Sequence, residues 1–261
     1  MMQNEYISSL QNPKIKNIVK LIEKSSERRA QQLFVVEGLR ELGIAISCNY
    51  EIDQLYYCEA LGASSKELKS RQYFDVSKEV FNKIAYREDS DGYIALLKPK
   101  YTSLNELRLR ENPFIIVIES VEKPGNLGAI LRTADAAKVD ALIVCDPKTD
   151  IYNPNAIRSS VGCVFSVPIA VGTSEDVLEF LQSQSVQTYA AALTATNSYT
   201  DVDFKQSSAI VMGTEATGLS DFWLEKSTKQ IKIPMLGKID SLNVSTSTAI
   251  ITFEALRQRM A

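Results

Sequence analysis

Apolar positions change their period several times along this chain, and each change marks an element. Residues 12–25 place Ile15, Ile18, Val19 and Ile22 on one helical face behind Asn12 and Pro13, which predicts a helix with Asn12 as N-cap. A short strand at 33–36 and a helix through Ile46 follow. Strand-like runs at 54–58, 73–76 and 93–97 then alternate with helical stretches at 65–71 and 77–85. From residue 114 the pattern hardens. Residues 114–118 (FIIVI) are continuously apolar, as in a strand buried on both faces of a parallel sheet. Helices at 126–138, near 153–160 and at 174–183 alternate with strands at 141–145, 164–168, 188–193, 209–212 and 230–233. A last helix runs from about 242 to 259, with Ala249, Ile250, Phe253 and Leu256 along one face.

This order predicts an α/β protein in two parts. Residues 1–98 form an N-terminal helix and a small α/β domain, and the polar stretch 99–113 is a linker. Residues 114–261 form a doubly wound, mostly parallel sheet. A length of 261 residues accommodates one large domain or a small and a medium one. No apolar run approaches the roughly 18 residues of a membrane span, and the first residues lack the basic-then-apolar layout of a secretory leader. A cytoplasmic protein without a membrane partner is therefore expected. The four cysteines (Cys48, Cys58, Cys145, Cys163) form no C-x-x-C pair, and the chain has no histidine. They read as small buried side chains in a reducing compartment, and no metal is expected.

Net charge is −3, which argues against a protein coated in base. Its distribution qualifies that. Lys14, Lys16, Lys20, Lys24, Arg28 and Arg29 face Glu5, Glu23 and Glu27 within residues 1–30, a local balance of +3, whereas residues 111–261 carry a balance of −5. A basic front on an acidic body is compatible with phosphate contact at one end, although a short charged helix is more often a solvated face.

Candidate chemistry gathers where strands end, the edge at which open α/β sheets bind ligands. Gly125 and Gly128 open the helix after strand 114–118, but the three-glycine dinucleotide spacing is absent. Asn126 is either a cap or a ligand. Arg132 lies among Ala129, Ile130, Leu131 and Ala134 and needs a partner: a phosphate suits its fork, and a salt bridge to Asp135 or Glu119 is the internal alternative. Gly213 ends strand 209–212 and permits close backbone approach to a flat ligand, while Glu215 either caps the next segment or orients its neighbours. Pro234 has no N–H for a ladder, so residues 233–235 should leave the sheet and offer free backbone groups to an adenine. Ser241 and Asn243 flank the last helix; only one can cap it, which leaves the other for a ligand.

Three stretches, 126–135 (NLGAILRTAD), 211–219 (VMGTEATGL) and 233–245 (IPMLGKIDSLNVS), resemble the three motifs of SpoU/TrmH-type RNA 2′-O-methyltransferases, in that family's order. The resemblance covers about 114–260, and residues near 30–98 look like the ribosomal-protein-like substrate-binding domain that often precedes it. Two positions depart from the pattern: Ala216 where glycine is frequent, and Lys123 where aspartate is frequent. Neither is expected to act chemically. The resemblance implies a trefoil-knotted methyltransferase domain, a knot being something that periodicity cannot reveal. It also implies S-adenosylmethionine held by Gly213, Ile233, Met235 and Leu242, mainly through backbone and apolar packing. Arg132 would be the essential residue, with Asn126, Glu215, Ser241 and Asn243 positioning it and the ribose.

The family proposal makes that arginine the general base, yet an arginine pKa lies above about 12. Clamping the neighbouring phosphate is the other role, and the sequence leaves both open. An RNA substrate is implied, ribosomal in preference to transfer RNA because of the front domain, and a homodimer. A non-catalytic RNA-binding protein of the same fold is the main competitor. A nicotinamide-dependent oxidoreductase is disfavoured by the missing glycine spacing.

Overall fold

The structure, a computed structural model, describes residues 5–86 and 89–261; the leader reading above rests on residues 1–4, which lie outside them. Strand β1 (Glu5–Ile7) leads into α1 (Pro13–Glu23), where Pro13 fills the first turn and the Asn12 side chain accepts the Lys14 amide at 2.9 Å. Then come α2 (Ser25–Gln31), β2 (Phe34–Glu37), α3 (Leu39–Ser47), β3 (Ile52–Tyr57), β4 (Ser70–Val76), α4 (Lys78–Ile84) and β5 (Tyr93–Leu97). These strands form one sheet in the order β1-β4-β3-β5-β2, with β5 antiparallel to both of its neighbours. The chain continues through β6 (Phe114–Glu119), α5 (Pro124–Ala136), β7 (Ala141–Cys145), α6 (Pro154–Ser159), α7 (Cys163–Ser166), β8 (Ile169–Gly172), α8 (Ser174–Ser183), β9 (Gln187–Ala191) and β10 (Asn197–Ser198). It ends with β11 (Ser208–Met212), α9 (Asp221–Lys226), β12 (Lys229–Lys232) and α10 (Val244–Met260). The second sheet runs β10-β12-β9-β11-β6-β7-β8, parallel throughout.

The chain divides into two compact units, one of residues up to Lys100 together with Asp150–Ser166, the other of Tyr101–Thr149 together with Val167–Ala261. Within the first unit, the segment from Asp150 is locked by a buried guanidinium. Arg28 Nε donates to Asp150 Oδ2 at 2.6 Å, and its Nη1 donates to the carbonyls of Leu21 (2.6 Å) and Ile22 (3.1 Å). Tyr152 stacks on Phe34 and exchanges a hydroxyl hydrogen bond with Tyr50 at 2.9 Å.

In the second unit, β6 and β11 are fully buried, as their unbroken apolar runs predict. Ile115, Val117, Ile143 and Val211 pack with Leu181 of α8 and Trp223 of α9. The alternating residues Ile116, Leu142 and Ile210 turn to the opposite face and are equally buried. There α5 and α10 pack on each other and against β7 and β11.

Four local expectations are corrected. Residues 65–71 are not helical, because β4 begins at Ser70 and pairs in parallel with β3. Residues 164–168 are not a strand: a helical turn occupies 163–166, and Pro168, which has no N–H, contributes only its carbonyl to Leu142 before β8 starts. Helix α5 starts two residues early, with Lys123 as its N-cap, so Asn126 lies inside the first turn and does not cap it. On α10 the fully buried positions are Thr248, Ile251, Thr252 and Ala255, whereas Phe253 is 47% exposed. Among the described residues no helix is long and apolar enough to cross a membrane, and no group of three His, Cys, Asp or Glu could hold a metal. All four cysteines are free thiols.

Breaking one side of a buried ion pair leaves its partner charged and uncompensated. Arg28→Ala is therefore expected to lower the unfolding free energy by about 3–5 kcal/mol, read from urea denaturation; a change within error of zero contradicts the lock.

Candidate active site

Pairing of β6 with β11, which sets Ile118 opposite Met212, starts two loops side by side. One loop enters α5 and the other carries residues 213–218. The loop after β12 then leads residues 233–243 to the N-terminus of α10, which packs on α5. Three segments far apart in sequence thus share one end of a parallel sheet.

Glu215 is where they meet. Its Oε1 accepts from Asn126 Nδ2 at 2.7 Å and from Asn243 Nδ2, while its Oε2 accepts from Lys123 Nζ. Asn243 Nδ2 also reaches Asn126 Oδ1 at 3.3 Å. The Lys123 ammonium first, then the Asn126 amide, holds the Glu215 carboxyl below the usual carboxylate range. Asn243 does double service: its Oδ1 accepts from the Ser245 amide (2.9 Å) and hydroxyl (2.6 Å), capping α10, while its Nδ2 turns to Glu215. Of the two candidates for the cap of α10, Asn243 takes it, and because one amide has two ends it reaches Glu215 as well.

Ser241 is exposed, donates to Asp240 at 3.0 Å and stays outside this cluster. Arg132 is exposed on α5 and forms no ion pair or hydrogen bond with the described residues. Its internal alternative through Glu119 is taken by Ser220, whose amide (2.8 Å) and hydroxyl (2.6 Å) both donate to that carboxylate.

Beside the cluster lies a cavity of about 590 Å³, lined by residues 191–194, 212–219, 231–233, Met235, 241–244 and the first turns of α10. It contains Gly213, Ile233, Met235 and Leu242, and also Ser241. A smaller cavity of about 90 Å³ shares Gly213–Ala216 and Val244 with it and is lined by Lys123, Asn126, Glu119 and Glu122. The sequence reading missed residues 191–194 and the α10 contribution of Ser247 and Ile251. That β9 lies between β11 and β12 is a fact of sheet order, which no local pattern carries.

This cavity suits S-adenosylmethionine. Its size and apolar lining match a nucleoside-sized ligand. Met235, Ser241 and Leu242 line it, and among the described residues their backbone N–H groups meet no backbone acceptor. Gly213 is required by its own loop: Thr214 and Gly218 exchange backbone hydrogen bonds at 3.0 and 3.1 Å, and a Cβ on Gly213 would lie 2.2 Å from the Gly218 carbonyl carbon. Gly213→Ala must therefore displace backbone at the cavity wall. It is expected to lose ~3 kcal/mol of stability and about tenfold or more in S-adenosylmethionine affinity, by thermal unfolding and calorimetry; wild-type values for both contradict this.

Comparison with known proteins bears on the same residues. The SpoU rRNA Methylase family matches residues 113–253, and the MRM3-like substrate binding domain matches residues 12–95. A 23S rRNA (guanosine-2'-O-)-methyltransferase, RlmB, of Escherichia coli is 32% identical over 250 residues, 92% of this chain and 94% of that one. The 23S rRNA (guanosine(2553)-2'-O)-methyltransferase RlmP of Bacillus subtilis is 27% identical across 95% of this chain and 97% of its own. Among solved structures, an AdoMet-bound rRNA methyltransferase from Sinorhizobium meliloti superposes with a TM-score of 0.90 at 28% identity, covering 98% of this chain and 99% of that one. An RNA 2'-O ribose methyltransferase superposes at 0.85 with 35% identity, covering 98% and 100%. With a family model matching more than half of the chain and a relative 32% identical over 92% of it, the chain belongs to the SpoU rRNA methylase family.

Proposed function

We propose that this protein methylates a ribose 2′-hydroxyl of the large-subunit ribosomal RNA, with S-adenosylmethionine as the donor. The observation that carries this reading is the meeting of Asn126, Glu215 and Asn243 at the wall of a cavity sized for that donor. The relatives named for 23S rRNA align with both units, front domain included, which supports ribosomal over transfer RNA.

Bound S-adenosylmethionine supplies a methyl group on a sulfonium whose positive charge disappears on transfer. The protein's part is alignment and shelter. Ile233, Met235 and Leu242 wall the donor with apolar surface and backbone dipoles. A free carboxylate beside the sulfonium would stabilise the starting state more than the transition state. Glu215 avoids this, because its charge is committed to Lys123, Asn126 and Asn243. Arg132, unengaged and exposed, is the residue available to an RNA phosphate beside the acceptor ribose, where its charge also favours loss of the hydroxyl proton. Ser241, which lines the cavity, positions the ribose from the α10 side, and Asn243 acts through Glu215 and Asn126.

The assembly is a homodimer in this reading. The face of α10 that bears Ala249, Ile250, Phe253 and Leu256 is left partly open, and Met260 at its end is 79% exposed. In this reading the final segment threads a trefoil knot, as membership of the SpoU family implies. A cytoplasmic location follows from the proposed substrate.

Arg132→Ala is expected to abolish methyl transfer to ribosomal RNA while leaving S-adenosylmethionine affinity within about twofold; near-normal turnover sinks the assignment. Mapping 2′-O-methylation on 23S rRNA with and without the protein tests the substrate, and an unchanged map rejects it. Phe253→Glu is expected to convert a dimer into a monomer by sedimentation; a wild-type protein that sediments as a monomer at micromolar concentration rules out the dimer.

A further inference from the structure

Lys123 stood aside in the sequence reading as a position without chemistry, yet its ammonium rests on the carboxylate at the centre of the site. We propose that Lys123 is a positioning residue for methyl transfer: it holds the Glu215 carboxylate so that the Asn126 amide keeps one orientation, and it offsets that carboxylate's repulsion of the RNA phosphates. The inference rests on the methyltransferase reading above and adds to it a residue that acts through its neighbours.

The first support is hydrogen-bond logic. A carboxylate only accepts, so both asparagines must turn Nδ2 toward Glu215, which fixes where each Oδ1 points. A displaced or protonated Glu215 removes that rule for Asn126, whose amide can then turn over and present N–H in place of oxygen, whereas Ser245 still holds Asn243 Oδ1. The second support is charge. Glu119, Glu122 and Glu215 line the same small cavity. Ser220 occupies Glu119 with two donors, and Lys148 pairs with Glu122 at 2.8 Å. Lys123 is the cation that faces Glu215. Without it the carboxylate would keep only two neutral amides while a polyanion approaches.

The third support is location. Lys123 is the N-cap of α5 and its side chain makes no capping bond. A cation at a helix N-terminus is opposed by the helix dipole, so helix stability does not explain a lysine there. Its side chain is 70% exposed while that of Glu215 is 25% exposed, so the ammonium covers the carboxylate from the solvent side, from which RNA arrives.

The test compares wild type with Lys123→Gln and Lys123→Arg, using S-adenosylmethionine, 23S rRNA and the full chain. Lys123→Gln is expected to slow transfer about tenfold while S-adenosylmethionine affinity, which also reports folding, stays within about twofold; Lys123→Arg should restore most of the rate. The Glu215 carboxyl, followed by carbon NMR with Glu119, Glu122 and Lys148 as its charged neighbours, should titrate at higher pH in Lys123→Gln than in wild type. A Lys123→Gln protein that transfers at the wild-type rate, or whose Glu215 titrates unchanged, overturns the proposal. A wild-type protein that binds the donor but methylates no ribosomal RNA would defeat the functional reading instead, and the Glu215 titration would still decide whether Lys123 holds the carboxylate.

Discussion

Parallel pairing of β6 with β11 is the constraint on which the site depends. Paired residues of the two strands lie 94 apart in sequence, yet their register places the exits of both strands together, Ile118 beside Met212. A parallel pair cannot close through a tight turn, so everything between them must make excursions and return. Those excursions supply β7, β8 and β9 and, through residues 150–166, a piece of the other unit. Once the pairing is set, Asn126 and Glu215 are neighbours. Asn243 joins them because α10 packs on α5.

The resulting chemistry is quiet by the standards of acid–base enzymes. No imidazole is available, and the carboxylate at the centre is committed to a lysine and two amides. Such a site suits a reaction in which charge disappears at the donor and alignment supplies much of the acceleration. The ions inside the cluster, Lys123 and Glu215, hold each other, and Arg132 stays exposed. The buried Arg28–Asp150 pair in the first unit shows the contrasting use of charge, as a structural lock closed on backbone carbonyls.

Where residues spoke for themselves, they spoke clearly. The unbroken run 114–118 announced a central strand, Asn12 with Pro13 announced a helix start, and Pro234 announced the departure of the chain from the sheet. Errors arose where a partner elsewhere outweighed local preference. Residues 65–71 have helical composition, but β3 offers Ser70 and Gln72 a parallel ladder. Residues 164–168 look like a strand, but Pro168 delays the ladder until Ile169. On α10, Thr248 and Thr252 are buried while Phe253 is not, and the hydroxyl of Thr248 is satisfied by the Val244 carbonyl.

The sequence by itself determined the alternation of strands and helices, the strand ends at which function had to lie, and, through three ordered stretches, the family. Those properties are local or near-local, written in period, proline and glycine placement, and motif order. Only the tertiary structure decided who touches whom at the site. It made Glu215 a hub, gave Asn243 two tasks, left Arg132 facing solvent, and brought Lys123 onto a carboxylate 92 residues away. The physical reason is that sheet order and helix packing fix these meetings, and a side chain's partner across a parallel sheet leaves no trace in its own neighbourhood.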